Sequence, residues 1–289
     1  MKELKLKALA KINLGLDVVR KREDGYHEVR MVMQTLHLHD AITMTEQKED
    51  KITVSTNLYY LPTDSGNLAY RAAQMLKEEF AIRQGVAIDI VKRIPVAAGM
   101  AGGSTDAAAV LVGMNRMFHL GLSMKELMER GVHLGADVPY CVMRGTALAE
   151  GIGEELTPLA PAPKCPVLIA KPSVSVSTQS AYGRLKLDTM QHPDIDAIMS
   201  DIERKDLAAL VSHMGNVFEP GTKEQYPVIG KLEDMMMEHH ALRAMMTGSG
   251  PTVFGLFEDA EDAKEACRII RESNLAQKVC LTSIYNRYR

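Results

Sequence analysis

A chain of 289 residues, 46% of them hydrophobic, has room for two modest domains and enough core to fold without disulfide or metal staples. Its formal charge of −3 and isoelectric point near 6.3 leave no basic footprint for nucleic acid or an anionic membrane, so a phosphorylated ligand has to be met by a local arrangement of groups. The four cysteines, Cys141, Cys165, Cys267 and Cys280, lie far apart with no C-x-x-C spacing, which argues against zinc and against a disulfide frame and fits buried thiols in a reducing cytosol.

The opening residues 1–7 are broken by charges and do not read as a signal peptide, and no later run is long and apolar enough to span a membrane, so a soluble cytoplasmic protein is expected. Residues 4–19 alternate, with Ile12, Leu14, Leu16 and Val18 on one face and Lys11, Asn13 and Asp17 on the other. The second face is expected to meet solvent, and on pattern alone Lys11 needs no role. Asp24-Gly25 is a turn signal between two alternating runs, and a charged hairpin tip accounts for Arg20 to Asp24 but leaves Tyr26 and His27 unexplained.

Strands are expected at 29–33, 36–38 and 52–54, with a polar turn at 47–51. His37 and His39 share a strand face; with no third ligand nearby in sequence, an exposed face is a better account than a metal pair. Asn67 reads as the N-cap of a helix running to Phe80. Val86, Ile88 and Ile90 alternate as a strand that Pro95 stops.

There follows the most informative stretch, Pro95-Val96-Ala97-Ala98-Gly99-Met100-Ala101-Gly102-Gly103-Ser104-Thr105, running into Asp106-Ala107-Ala108. A small-residue loop that opens a helix can bring backbone N–H groups close to a polyanion, where the helix dipole favours negative charge. Ser104, Thr105 and Asp106 are candidates for the helix start. It is not a Walker A loop, because no Gly-Lys-Ser/Thr follows, and the glycine spacing does not suit a dinucleotide fingerprint.

Gly121 ends that helix, and Ser123 with Glu126 forms a capping box for the next, which Gly131 is expected to interrupt. Asp137 lies in Gly135-Ala136-Asp137-Val138-Pro139, where a turn cap is the plain structural account. A hairpin is expected over 145–156, and the proline-dense run from Pro158 to Pro166 marks the domain boundary, giving 1–157 and 158–289. Beyond it, strands at 167–170, 242–246, 252–257 and 279–285 and a helix at 260–273, with extra helices inserted early, give the β-α-β-β-α-β order of a ferredoxin-like unit. In this half Val176-Ser177-Thr178-Gln179-Ser180-Ala181-Tyr182 reads as a strand end and a Ser/Thr-capped helix. Thr247-Gly248-Ser249-Gly250-Pro251-Thr252 reads as a glycine-rich turn between core strands.

The loop Pro-x-x-x-Gly-x-x-Gly-Gly-Ser-Thr-Asp-Ala-Ala resembles the second motif of the GHMP kinases, a superfamily of small-molecule kinases. Ala10-Lys11-Ile12-Asn13-Leu14-Gly15-Leu16 is similar to its first motif and Thr247-Gly248-Ser249-Gly250-Pro251-Thr252 to its third. The resemblance covers nearly the whole chain. It implies an α+β fold, with an N-terminal domain like ribosomal protein S5 domain 2 followed by a ferredoxin-like C-terminal domain, and ATP, with Mg²⁺, as phosphoryl donor. It implies that Lys11 and Asp137 are catalytic, with Asp137 as base or orienting acceptor and Lys11 offsetting charge on the transferring group. Residues Pro95 to Thr105 would hold the phosphates, with Ser104 or Thr105 oxygens near the metal, and Asn67 and Lys92 would lie at the adenine end. Asp24-Gly25-Tyr26-His27 points to a branch whose acceptor carries cytidine, the tyrosine stacking on the base and the histidine bonding to it; Asn13 and Thr178 would also line the acceptor. A small-molecule acceptor, no nucleic-acid or membrane partner, and a monomer or weak homodimer are the corresponding expectations. A mevalonate- or homoserine-type kinase, or a non-catalytic nucleotide sensor, are the alternatives. One departure is Ala101, which stands where the family usually has glycine; a positive φ there would strain or reshape the loop.

Overall fold

The structure is a computed structural model that describes residues 2–185 and 190–287. It divides into two compact units: Met1–Ala10, Leu38–Val96 and Ala101–Arg144 form the first, and Lys11–His37, Ala97–Met100 and Gly145–Arg289 the second. Two long strands, β1 (Glu3–Lys21) and β2 (His27–Gln47), contribute residues to both. Among the described residues no helix is long and apolar enough to cross a membrane.

In the first unit, β3 (Ile52–Thr56) and β4 (Gly85–Val91) are parallel, and β4 runs antiparallel to the second half of β2 from Ala41↔Val91 to Gln47↔Gly85. The buried alternation of Val86, Ile88 and Ile90 on β4 is the one expected from sequence. Helices α1 (Leu68–Glu79) and α2 (Gly102–Met117) pack together, followed by α3 (Met124–Val132) and α4 (Val138–Met143). Asn67 caps α1 by accepting a hydrogen bond from the Ala69 N–H, and Ser123 with Glu126 forms a complete capping box on α3. Gly131 does not interrupt α3. A side chain there would come within 3.0 Å of Val138, so the glycine serves the packing of α4.

In the second unit, β5 (Thr146–Glu150) pairs with the first half of β2 and with β6 (Glu155–Pro158), which is the expected hairpin. The separate strands expected at 29–33 and 36–38 are stretches of the single strand β2. A four-stranded antiparallel sheet is built from β7 (Pro166–Lys171), β9 (Arg243–Met246), β10 (Val253–Leu256) and β11 (Lys278–Ser283), in the order β11-β7-β10-β9. With α10 (Ala260–Glu272) before β11, this is the ferredoxin-like arrangement read from the sequence. The inserted segment after β7 contains α5 (Thr178–Gly183), α6 (Ile195–Arg204), α7 (Leu207–His213), the short strand β8 (Gly215–Asn216), α8 (Glu219–Gln225) and α9 (Val228–Glu238).

The clearest departure from the sequence reading is on β1, where every residue from Ala8 to Val18 is buried on both faces. The face expected to meet solvent is covered: a side chain added at Gly15 would come within 2.5 Å of Ile198 and 2.8 Å of Ile195 on α6. Glycine is required there because the helix lies directly on the strand backbone. Lys11, Asn13 and Asp17 share that face and are 5%, 0% and 9% exposed.

Candidate active site

The small-residue loop is divided between the units, 97–100 in the second and its flanks in the first. In the first unit Pro95 is buried and Val96 half-buried, and α2 starts at Gly102, two residues before the expected caps. Its N-cap is Ala101, in the left-handed region at φ 57° and ψ 31°, and no side chain caps the helix. That corrects the expectation for Ser104, Thr105 and Asp106. The Thr105 hydroxyl donates instead to the Leu9 carbonyl at 2.8 Å and is buried, and Asp106 faces Lys92. The N–H groups of Gly102, Gly103 and Ser104 therefore form an uncapped helix end with its dipole exposed, and Gly103 is exposed with open space beside it apart from Leu68 at 3.7 Å.

Under that helix end lies a cluster of charge that the sequence did not announce. Lys92 Nζ sits 2.5 Å from Asp40 Oδ2 and 2.5 Å from Asp106 Oδ2, and donates to the Gly102 carbonyl at 3.3 Å. Asp40 also accepts the N–H groups of Arg93 and Ile94. Burial would lower the Lys92 pKa, but the two carboxylates raise it above the ordinary value. Burial, together with Asp40 and against the pull of Lys92, pushes Asp106 up to about 7, and its Oδ1 is buried with no partner. The Lys92 backbone N–H and carbonyl both pair with Asn57 at 2.8 and 3.3 Å, and the Asn67 amide donates to the Pro62 carbonyl at 2.8 Å. The side chains of Lys92 and Asn67 thus hold this part of the unit together.

Asp137 occupies the N-cap position of α4 at φ −78° and ψ −15°, yet its side chain makes no capping bond. The plain account of it as a turn cap is therefore not met: the chain turn is closed by backbone, Val138 N–H to Gly135 O at 3.0 Å and Cys141 N–H to Asp137 O at 3.0 Å. A half-buried carboxylate is left for other work.

In the second unit, Ala97 is exposed with φ 50°, Ala98 and Met100 turn into the core, and Gly99, at φ +70°, lies against the turn after β9. A side chain at Gly99 would come within 2.4 Å of the Thr247 carbonyl. That turn is itself held by Asn216, whose amide donates to Met246 O at 2.8 Å and Gly248 O at 2.9 Å. The Met100 carbonyl accepts from the Lys11 N–H at 3.3 Å. Lys11 Nζ donates to Asn13 Oδ1 at 2.8 Å, and the Asn13 N–H to the Thr247 hydroxyl at 3.1 Å, so the first and third glycine-bearing motifs meet at these two residues.

The hairpin tip is closed by the Arg22 N–H to Tyr26 O bond at 2.8 Å, with Gly25 at φ +86°. Tyr26 is 60% exposed. His27 stacks on Tyr182 with ring centroids 4.6 Å apart, and Tyr182 meets Phe218 edge-on at 4.8 Å. Burial, and then Lys21, lower the His27 pKa, which keeps the imidazole neutral at pH 7. Thr178 bonds to Ser249 at 3.0 Å, joining its segment to the third motif. Sequence reasoning took Thr178 from this stretch and passed over Tyr182, although both belong to the same Ser-Thr-x-x-Ala-Tyr pattern. It also missed the 2.7 Å contact between Asp17 and His192, which lie 175 positions apart and leave no local signal.

His37 is exposed and meets Tyr285 edge-on, and among the described residues no group of three or more His, Cys, Asp or Glu is placed to hold a metal ion. Mg²⁺ needs no such cage, because it keeps several waters and is bound through one or two protein oxygens plus substrate phosphates. The half-exposed Ser104 on the first turn of α2 can provide such an oxygen; Thr105, whose hydroxyl is engaged by Leu9, does not.

Two family models match the chain, "GHMP kinases N terminal domain" over residues 67–145 and "GHMP kinases C terminal" over residues 198–275. A 4-diphosphocytidyl-2-C-methyl-D-erythritol kinase of Lachnospira eligens is 52% identical over 286 residues, which cover 99% of each chain. A kinase of the same name from Lachnoclostridium phytofermentans is 53% identical over 91% of each. Among solved structures, a 4-(cytidine 5'-diphospho)-2C-methyl-D-erythritol kinase matches with a TM-score of 0.84 at 29% identity, covering 98% of this chain and 100% of that one. A homoserine kinase from Cytophaga hutchinsonii matches with a TM-score of 0.77 over 98% of this chain and 94% of that one, at 18% identity, which speaks for the fold alone. With both family models matched in order and about half its residues shared with relatives along nearly their full length, the chain belongs to the GHMP kinases, in the branch of the 4-diphosphocytidyl-2-C-methyl-D-erythritol kinases.

Proposed function

We propose that this chain transfers the γ-phosphoryl group of ATP to the tertiary 2-hydroxyl of 4-diphosphocytidyl-2-C-methyl-D-erythritol, giving the 2-phosphate and ADP, a step in the non-mevalonate route to isoprenoid precursors. The observation that carries the reading is the exposed Tyr26 next to the His27–Tyr182 stack, in the same unit as Lys11 and Asn13. An aromatic face combined with a neutral imidazole suits a nucleobase: stacking holds any base and a directed hydrogen bond selects one. Mevalonate and homoserine carry no base, so a kinase for either has no use for this rim.

Phosphoryl transfer asks the protein mainly for positioning and for charge stabilisation. In this reading Pro95 to Ala101 and the N–H groups of Gly102, Gly103 and Ser104 receive the ATP phosphates, and Asn67 and Lys92 support the nucleotide from behind. Asp137 accepts or orients the hydroxyl proton, a role suited to a carboxylate that its own helix does not engage. Lys11, held by Asn13, offsets charge on the transferring group. Tyr26 and His27 hold the cytosine, and Thr178 lines the acceptor. Mg²⁺, when bound with ATP, supplies neutralisation of the phosphate oxygens, with Ser104 as its protein oxygen. Functionally, residues 1–157 form the nucleotide-binding and catalytic half and 158–289 the ferredoxin-like half.

The deciding experiment is to incubate the purified protein with ATP, Mg²⁺ and, in turn, the cytidyl substrate, mevalonate and homoserine, following ADP release. Release with the cytidyl substrate alone is expected. Turnover of mevalonate or homoserine instead would replace this reading with another kinase of the family, and ATP binding without turnover of any alcohol would favour a sensor.

A further inference from the structure

Between β3 and α1 the chain forms the turn Leu58-Tyr59-Tyr60-Leu61, closed by the Leu61 N–H to Leu58 O bond at 3.1 Å. The two central positions of such a turn favour glycine, proline, asparagine or aspartate, each for a backbone reason, and two adjacent tyrosines satisfy none of these. Nor does the core need them: Tyr59 is 97% and Tyr60 60% exposed, and the rings touch each other edge-on with centroids 5.6 Å apart. A pair of large aromatic faces held out in water is a cost unless something covers it.

The turn is fixed rather than loose at both ends. Asn57, two residues before Tyr59, is bonded through its side chain to both the N–H and the carbonyl of Lys92, and Lys92 in turn bonds to the carbonyl of Gly102 at the start of α2. On the other side the Pro62 carbonyl is held by Asn67, the cap of α1, and the next residue, Leu68, is the neighbour of Gly103 on the first turn of α2. The tyrosine pair is thereby tethered, through one residue on one side and one helix cap on the other, to the uncapped helix end proposed to receive phosphates.

We propose that Tyr59 and Tyr60 form the stacking platform for the purine ring of the phosphoryl donor, making this turn a specificity-determining element for the nucleotide. The proposal rests on the reading of the α2 terminus as the ATP phosphate site. Stacking acts on the base and not on the phosphates, and that separates the two claims experimentally. The phosphates bind to backbone that the tyrosines do not form, so inorganic tripolyphosphate measures the helix end alone, while ADP measures helix end and platform together.

The test uses the full chain, by titration of ADP and of tripolyphosphate into the wild type, Tyr59→Ala, Tyr60→Ala and the double variant. Loss of base stacking is expected to weaken ADP by roughly 5- to 150-fold in the double variant, with tripolyphosphate affinity and the KM of the acceptor unchanged. Because the chain has no tryptophan, Tyr59→Trp adds a single reporter that keeps an aromatic face, and its emission is expected to change with ADP and not with tripolyphosphate. ADP affinity within twofold of wild type in the double variant, or a Tyr59→Trp emission indifferent to ADP, would overturn the platform. Equal loss of ADP and tripolyphosphate would also overturn it, by showing that the turn acts only by shaping the helix end. If tripolyphosphate does not bind the wild type at all, it is the phosphate-site reading that falls, and ADP titration of the variants still decides the platform.

Discussion

At the scale of single residues, the side chain that matters most is one whose structural task is missing. Asp137 stands where a helix cap would stand and makes no capping bond, so replacing its charge leaves the backbone turn intact. Asp137→Asn is expected to reduce kcat on the order of 10²- to 10⁴-fold if the carboxylate is a general base, with ADP affinity preserved; rate measurements and nucleotide titration on the same sample check both halves. A much smaller loss would assign it the orienting role. Tyr26 is similarly idle in the fold, at 60% exposure on a hairpin tip closed by backbone. Stacking is worth roughly 1–3 kcal/mol by alanine substitution, so Tyr26→Ala should raise the KM of the cytidyl substrate about ten- to a hundredfold and leave ATP alone. His27 is held against Tyr182, and His27→Ala should erode discrimination between cytosine and uracil analogues. Normal KM and base preference in both variants would return the hairpin to a purely structural role.

At the scale of elements, the start of α2 and the loop before it respond to substitution in opposite ways at two glycines. Gly103 is exposed with only Leu68 within 4 Å of an added side chain, so Gly103→Val should fold with little change in Tm while a branched side chain among the first-turn N–H groups obstructs a polyanion. Gly99 has φ +70° and a backbone oxygen 2.4 Å from any added carbon, so Gly99→Ala should destabilise the chain before any ligand is considered. Calorimetry and ATP titration of the pair separate ligand effects from folding effects. Unchanged ATP affinity in Gly103→Val would make the helix end structural only. Ala101 sits between the two cases: its left-handed backbone costs on the order of 1–2 kcal/mol, part of which Ala101→Gly recovers and part of which the greater freedom of glycine in the unfolded chain offsets. A small rise in Tm with tighter ATP binding is expected.

At the scale of the whole molecule, stability should depend on pH through the buried Asp40–Lys92–Asp106 cluster. The Asp106 pKa is raised to about 7 in the folded chain, against about 4 for an unfolded aspartate. Between those values the folded chain binds the proton and the unfolded chain does not, so this group's contribution to stability is fully present below about pH 4 and is lost as pH rises through about 7. Thermal unfolding of Asp106→Asn across this window is expected to show a flatter fall of Tm with pH than the wild type; an identical slope would mean that Lys92 keeps Asp106 ionised throughout.

Much of this protein could be read from its sequence because the determining interactions are local. The capping box of Ser123 and Glu126, the Asn67 cap, the alternation of β4 and the hairpin over 145–156 depend on neighbours within a few positions, and all are found. The ferredoxin-like order followed from the succession of strands and helices alone. Lys11, Asn13, Tyr26, His27 and the loop before α2 were found through motif spacing, which is also local. What tertiary structure decided were matters of coverage and of distant partners. Alternation along β1 told two faces apart but could not say that α6 covers the second, so Lys11 looked solvent-facing when it is buried. Asp40, Lys92 and Asp106 lie on three separate elements and acquire their charge relationship only when β4 and α2 pack, and His27 meets Tyr182 from 155 positions away. The start of α2 moved from Ser104 to Gly102 because a left-handed backbone at Ala101 ended the loop sooner than side-chain capping rules required. Periodicity and cap chemistry fix what a segment is; what lies against it is set by contacts whose energy appears only when distant parts of the chain are desolvated together.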